Sequence, residues 1–162
     1  MKKNILHNKS LEEFHADILS GRTSIIDVTE EIIENYNYGE VSKSAFVEFN
    51  KDTIKNSALI INKIKNNEYA LLGVPVSIKD LYGVKGYKTR AGTPKELSSK
   101  WELQGPIVNT LTSNYSLITG KTHTVEFAFG GVGMNPHWGT PINPWDIKNH
   151  RVPGGSSSGA GV

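Results

Sequence analysis

The 162-residue chain contains no cysteine. That single absence excludes disulfides, thiolate metal sites, iron–sulfur ligation and a cysteine nucleophile, so any nucleophile is an oxygen or an amine. Long apolar runs are also missing: nothing approaches the roughly twenty residues needed to cross a bilayer, and no membrane partner is expected. The opening Met1-Lys2-Lys3 is followed, from Asn4 to Ser10, by only Ile5 and Leu6 as large apolar groups. Without the apolar centre of a secretory signal, a cytoplasmic location is expected. Charge of one sign is lacking too. Lys and Arg total 18 against 16 Asp and Glu, a net +2 too small and scattered to mark a nucleic-acid surface, so no direct nucleic-acid contact is expected. What remains is 37% hydrophobic and 21% charged, a composition and length suited to one core.

The first 66 residues carry three helical patterns. Ser10 and Glu13 form a capping box, and Leu11, Phe14, Ile18 and Leu19 then recur at helical spacing up to a stop at Gly21. Ser24 with Asp27 starts a second helix, whose stripe is Ile25, Val28, Ile32 and Tyr36 and whose stop is Gly39. After a strand-like Ala45 to Phe49, a third helix carries Ile54, Ala58, Ile61 and Lys65, with Leu59 alongside. All three read as amphipathic cover for another layer.

The character changes at Leu71. The run Leu71 to Asp80 is rich in β-branched residues and predicts a buried strand. Period-two alternation puts Val74, Val76 and Ile78 on one face, and Pro75, Ser77 and Lys79 on the other. Gly83, Gly86 and Gly92 punctuate a turn-rich stretch, Gly105 to Tyr115 returns to helical spacing, and Ser116 to Thr119 reads as a second short strand. From Gly130 onward Gly, Pro, Asn and Ser dominate. Helices followed by alternating strand and helix predict an α/β sheet with functional loops at strand ends.

Gly154-Gly155-Ser156-Ser157-Ser158-Gly159 is the strongest local motif. Composition alone allows either a flexible linker or a loop whose glycines admit close approach and present a hydroxyl. A P-loop is a poor rival because the Gly-Lys-Ser/Thr ending is absent. Lys79, taken alone, reads as a surface charge, but its place inside an apolar strand suggests more. To act as a base it must drop from about 10.4 toward 7, roughly 4 to 5 kcal/mol of environmental bias. No Ser-x-x-Lys spacing occurs, and Ser77, on the same strand face, reads as a packing residue. His7, His15, His123, His137 and His150 lack any tight ligand spacing, so no metal is expected. Glu126 has no partner carboxylate at a recognisable offset, which leaves paired-acid chemistry unsupported. Among the aromatics of the loop-rich segment, Trp145 reads as a packing anchor, while Phe129 and Trp138 fit either packing or a pocket wall.

Taken together, several segments resemble the amidase signature family, serine amidohydrolases that include the glutamine-hydrolysing A subunit of tRNA-dependent amidotransferases. They are Gly73 to Asp80, Thr89 to Thr93, Gly120-Lys121-Thr122, Glu126-Phe127-Ala128, Asn135-Pro136 with Gly139-Thr140, Asn143 to Asp146, and Pro153 to Gly159. The resemblance implies an α/β amidase-signature fold, a mixed β-sheet core covered by helices, incomplete in this chain. Residues 1–162 would be the N-terminal part of one amidase domain, with helical cover at 1–66 and the start of the catalytic sheet and Gly/Ser loop at 67–162.

It also implies a Ser–Ser–Lys triad, in which Lys79 is the lysine and Ser156 is the bridging serine held by a cis peptide. The family's nucleophile and oxyanion donors belong to a Gly-Ser/Thr-Asp-x-Gly-Gly-Ser run farther along, past Val162. The expected activity of the complete enzyme is therefore hydrolysis of a carboxamide C–N bond through an acyl-enzyme, with a small-molecule amide substrate and no cofactor. The chain by itself is expected to be inactive and aggregation-prone, because strand edges and apolar helix faces would lack covering. One alternative is the glutamine-hydrolysing component of a tRNA amidotransferase, the only reading that needs partner subunits. Another is a non-catalytic binding remnant. Where the family usually has Ala-Gly-Ala this chain has Asn114-Tyr115-Ser116, so a left-handed residue is expected at Asn114.

Overall fold

The computed structural model of the chain describes residues 5–7, 9–64 and 68–162. The N-terminal run Met1 to Asn4, Lys65 of the third expected helix, and the expected division at 66/67 lie outside the described residues. Among those described, no helix is long and apolar enough to cross a membrane.

Local rules build the helices. Helix α1 (Leu11–Leu19) starts at a complete capping box, the Ser10 hydroxyl accepting from the Glu13 N–H and the Glu13 carboxylate accepting from the Ser10 N–H. Helix α2 (Ile25–Tyr38) is capped by Ser24 and ends at Gly39. Gly39, however, does not lead straight into a strand. A short helix α3 (Glu40–Ala45) follows, which the stop signal at Gly39 conceals in the sequence. Strand β1 is therefore only Phe46–Glu48, and Ala45 ends a helix instead of starting a strand. Helix α4 (Lys51–Ile61) is capped by Asn50 and buries Ile54, Ala58 and Ile61, while Leu59 faces outward.

Three strands form one mixed sheet in the order β1-β3-β2. Strand β2 (Pro75–Lys79) runs parallel to the central β3 (Leu117–Thr122), and β1 runs antiparallel to it. A parallel pair needs a crossover, supplied here by the 80–105 segment and helix α5 (Pro106–Ser113), with Gly105 as N-cap and Pro106 at the first helical position. On one side Ile25, Ile54, Ala58, Ile61, Leu72 and Leu117 make the largest buried apolar cluster, and on the other Ile78 packs with Val84, Tyr87 and Val108.

Two local expectations change. Val74 does not share the cluster of Val76 and Ile78 but packs with Ile5, Phe14 and Val28. Gly73 turns the chain at φ +72° just before it, and regular pairing starts only at Pro75. The left-handed residue after α5 is Tyr115, at φ +55°, while Asn114 stays at φ −90°. The Tyr115 N–H bonds Thr112 O and the Ser116 N–H bonds Leu111 O, the two-bond pattern of a Schellman ending. The Asn114 amide is engaged instead with Thr110 O, and Tyr115 packs edge-on against Tyr69 at 4.7 Å, which offsets the left-handed penalty of about 1–2 kcal/mol.

Candidate functional site

Lys79 is the last residue of β2, and Ser156 lies 77 positions later in the Gly/Ser loop. The fold brings them together: Lys79 Nζ donates to Ser156 Oγ at 2.7 Å in a half-buried setting. Burial alone pushes the Lys79 ammonium below its ordinary value, since removing water penalises the charged form. An amine whose charged form is disfavoured, in contact with a hydroxyl, is the arrangement that proton exchange between the two requires.

The loop that carries Ser156 is held at both flanks. Gly155 N–H bonds Gly131 O at 2.8 Å, Val125 N–H bonds Ser156 O at 2.9 Å, and Gly159 N–H bonds His123 O at 3.0 Å. Ser158 and Gly159 are buried, and a Cβ at Gly159 would stand 2.1 Å from Ala45 O, so only glycine fits. A flexible linker has none of these contacts. The Gly155–Ser156 peptide is cis.

Against the Ser156 loop, through Val125, lies a cleft of about 560 Å³ lined by Val125, Glu126, Phe127, Phe129, Met134 and Pro136. It begins at Val125, whose N–H holds the Ser156 carbonyl. Phe127 and Ala128 both have positive φ, a concentration of backbone strain of the kind found at ligand sites. Phe129 lies on this cleft and is highly exposed. Glu126 pairs with His137 at 3.6 Å, across two loops that sequence spacing does not connect.

The remaining candidates divide. Ser77 is exposed on β2, so it is not the packing residue that alternation suggests. Trp145 is 94% exposed and anchors nothing among the described residues, whereas Trp138 donates its ring N–H to Thr93 O at 2.6 Å and stacks over Arg90. His123 is buried at the end of β3, and burial lowers its imidazole below the usual histidine range.

Sequence spacing gave no sign of a buried ion pair directly behind Lys79. Asp80 and Lys121 are 1% and 0% exposed, with Lys121 Nζ 2.9 Å from Asp80 Oδ1. Burial pushes the Asp80 carboxyl up, while the facing Lys121 ammonium and the Arg90 N–H pull it down. The one signal in the sequence is a charged residue in each of two largely apolar stretches, Asp80 after Ile78 and Lys121 after Leu117 to Gly120.

A family model for Amidase matches residues 27–162. A 2-amino-5-chloromuconic acid deaminase of Comamonas testosteroni is 59% identical over 92 residues, which is 57% of this chain and 20% of that protein. The A subunit of the glutamyl-tRNA(Gln) amidotransferase of Lactiplantibacillus plantarum is 30% identical over 158 residues, 96% of this chain and 32% of that protein. A crystal structure of an amidase superposes with a TM-score of 0.82 at 30% identity, over 93% of this chain and 35% of the other. The chain thus spans between a fifth and about a third of the length of these relatives.

Proposed function

Because the chain belongs to the amidase family, we propose that it supplies the base and the relay of a C–N hydrolase, Lys79 acting as base and Ser156 as relay. The observation that carries this is the 2.7 Å contact between Lys79 Nζ and Ser156 Oγ, with the amine biased toward neutrality by burial. The attacking serine and its oxyanion donors are proposed to come from a segment beyond residue 162, which fits relatives about three times as long.

In that reading neutral Lys79 accepts the Ser156 hydroxyl proton as Ser156 takes the proton of the attacking serine. The serine oxygen bonds to the carbonyl carbon, the C–N bond breaks, and the proton returns through Ser156 to the departing amine. Water then cleaves the ester by the same proton path. The cleft lined by Phe127, Phe129 and Met134 offers apolar contact for the substrate beside the relay.

The substrate is proposed to be a small molecule that releases ammonia, which the 59% identity to a deaminase favours. A second reading, glutamine hydrolysis within a tRNA amidotransferase, is supported by the match along 96% of this chain, and it alone calls for partner subunits. Ammonia release by a polypeptide that carries this chain with the downstream segment tests both. Release from small carboxamides without added subunits, lost in Lys79→Ala and Ser156→Ala, supports the first reading; release from glutamine only with copurified subunits supports the second. No release from any of these, or release unaffected by both substitutions, overturns the role given to the pair. The 162-residue chain alone is expected to release none.

A further inference from the structure

We propose that the buried Asp80–Lys121 pair positions Lys79 against Ser156. The pair sits on the opposite sheet face from the contact it governs. In the parallel register Lys79 pairs with Thr122 and Ile78 with Lys121, so Lys121 shares the face of Ile78, to which Asp80 returns two residues later. There the ion pair ties three segments together. Lys121 Nζ lies 2.9 Å from Asp80 Oδ1 and donates to Lys88 O at 3.0 Å and to Thr89 Oγ1 at 3.3 Å. Asp80 Oδ2 accepts from the Arg90 N–H at 3.1 Å, Asp80 O accepts from the Ala91 N–H at 2.9 Å, and the Asp80 N–H bonds Thr122 O at 3.0 Å.

Both ends of the Lys79–Ser156 contact hang from this clamp. Lys79 is joined to it directly, as the residue before Asp80. Ser156 is joined through the loop: Ala91 O accepts from the Phe127 N–H at 2.7 Å, Gly92 O and Thr124 O both accept from the Asn135 side-chain amide, and the Val125 N–H holds Ser156 O. A buried pair is a poor source of stability, since desolvation offsets most of its attraction, but it fixes geometry closely because neither charge tolerates losing the other. Asp80 follows Lys79 directly, Lys121 and the Arg90 N–H face Asp80, and His123 follows Thr122, the β3 residue paired with Lys79.

The catalytic meaning of this clamp rests on reading Lys79 as the base, but its control of Lys79 is measurable without substrate. The polypeptide that carries this chain with the downstream segment, labelled with carbon-13 at lysine Cε, is titrated by NMR, with Lys79 assigned by its loss in Lys79→Met. In the native chain Lys79 is expected to titrate below 10.5. The double variant D80N/K121M removes the pair without changing net charge, so a direct charge effect is removed and geometry is isolated. If it keeps native circular dichroism, Lys79 is expected to rise toward 10.5 as its contact with Ser156 loosens and water enters. The milder Thr89→Val, which removes the hydroxyl that accepts from Lys121 and donates to Trp101 O, is expected to move it less and in the same direction, and it serves where the double variant does not fold. An unchanged Lys79 titration in a folded variant overturns the proposal. Loss of ammonia release with an unchanged titration would fault the clamp, whereas a shifted titration with unaffected release would fault the role of Lys79 as base.

Discussion

Residues 10–61 and residues 120–161 of this chain hold together by different means. The first region is helical, and its order comes from apolar stripes: Val28, Ile54 and Ala58 are fully buried, and each long helix starts at a side-chain cap. The second region has little regular structure after β3, yet Asn135, Thr124 and Ser158 are just as deeply buried. Its order comes from backbone hydrogen bonds between loops and from glycines at positions with no room for a Cβ. In this molecule the polar, glycine-rich region holds Ser156 against Lys79, and the helical region packs as apolar cover. Backbone hydrogen bonds on both flanks of the Gly/Ser loop hold the Ser156 hydroxyl 2.7 Å from the Lys79 amine.

The contrast sets an order of sensitivity. The largest loss is expected where the polar half is cut at its buried charge: Lys121→Met leaves Asp80 unpaired, and urea unfolding should show about 3–5 kcal/mol less stability. Gly159→Ala, with a Cβ 2.1 Å from Ala45 O, should disorder the Gly/Ser loop, read as lost hydrogen-exchange protection at Gly155 and Val125, whereas Gly131→Ala, with open space around it, should not. In the helical half Ile54→Ala should cost about 2–5 kcal/mol, a spread set by how far the cavity collapses. Ser10→Ala should cost about 0.5–2 kcal/mol by opening the capping box of α1. Comparable losses from Gly131→Ala and Gly159→Ala would break the claim that the second region is ordered by glycines with no room for a Cβ.

The smallest change sharpens it. Tyr87 is buried, and its hydroxyl has no partner among the described residues, so Tyr87→Phe should be close to neutral or mildly stabilising at pH 7. Burial pushes the Tyr87 phenol up to about 12 from 10.0. The folded state therefore keeps a proton that the unfolded chain loses; this contribution is complete below pH 10 and is lost as pH rises through about 12. Thermal unfolding between pH 9 and 12 should fall less steeply in Tyr87→Phe than in the native chain. Lys79 acts with the opposite sign. Its folded form releases a proton before the unfolded one does, so it contributes a rise in stability with pH between its lowered value and 10.5.

How much of this is legible in the sequence follows the same division. Caps and stripes are local, so Ser10, Ser24 and the buried faces of α2 and α4 can be read directly. Helix α3 cannot, because the glycine that stops α2 also hides the helix that resumes at Glu40. Val74 is assigned to the wrong cluster because a turn at Gly73 resets the alternation, and Tyr115 takes the left-handed place because the Asn114 side chain is already bonded to Thr110. Trp145 looks like an anchor by type alone, and type does not determine what lies opposite a side chain. At the site, Lys79 and Ser156 are visible as unusual residues in a strand and a glycine loop, but their contact spans 77 positions and is a property of the fold. The Asp80–Lys121 pair is less visible still, since two charges on different strands become partners only once the register of β2 on β3 is known.

The most direct test of the account is the protonation of Lys79 in the native chain and in Ser156→Ala, followed at its carbon-13 Cε signal. Lys79 is expected to titrate below 10.5 in the native chain, and its value to move when the Ser156 hydroxyl is removed. A value at or above 10.5 in both proteins would mean a fully hydrated ammonium with no bond to the loop, and it would contradict the assignment of Lys79 as a base.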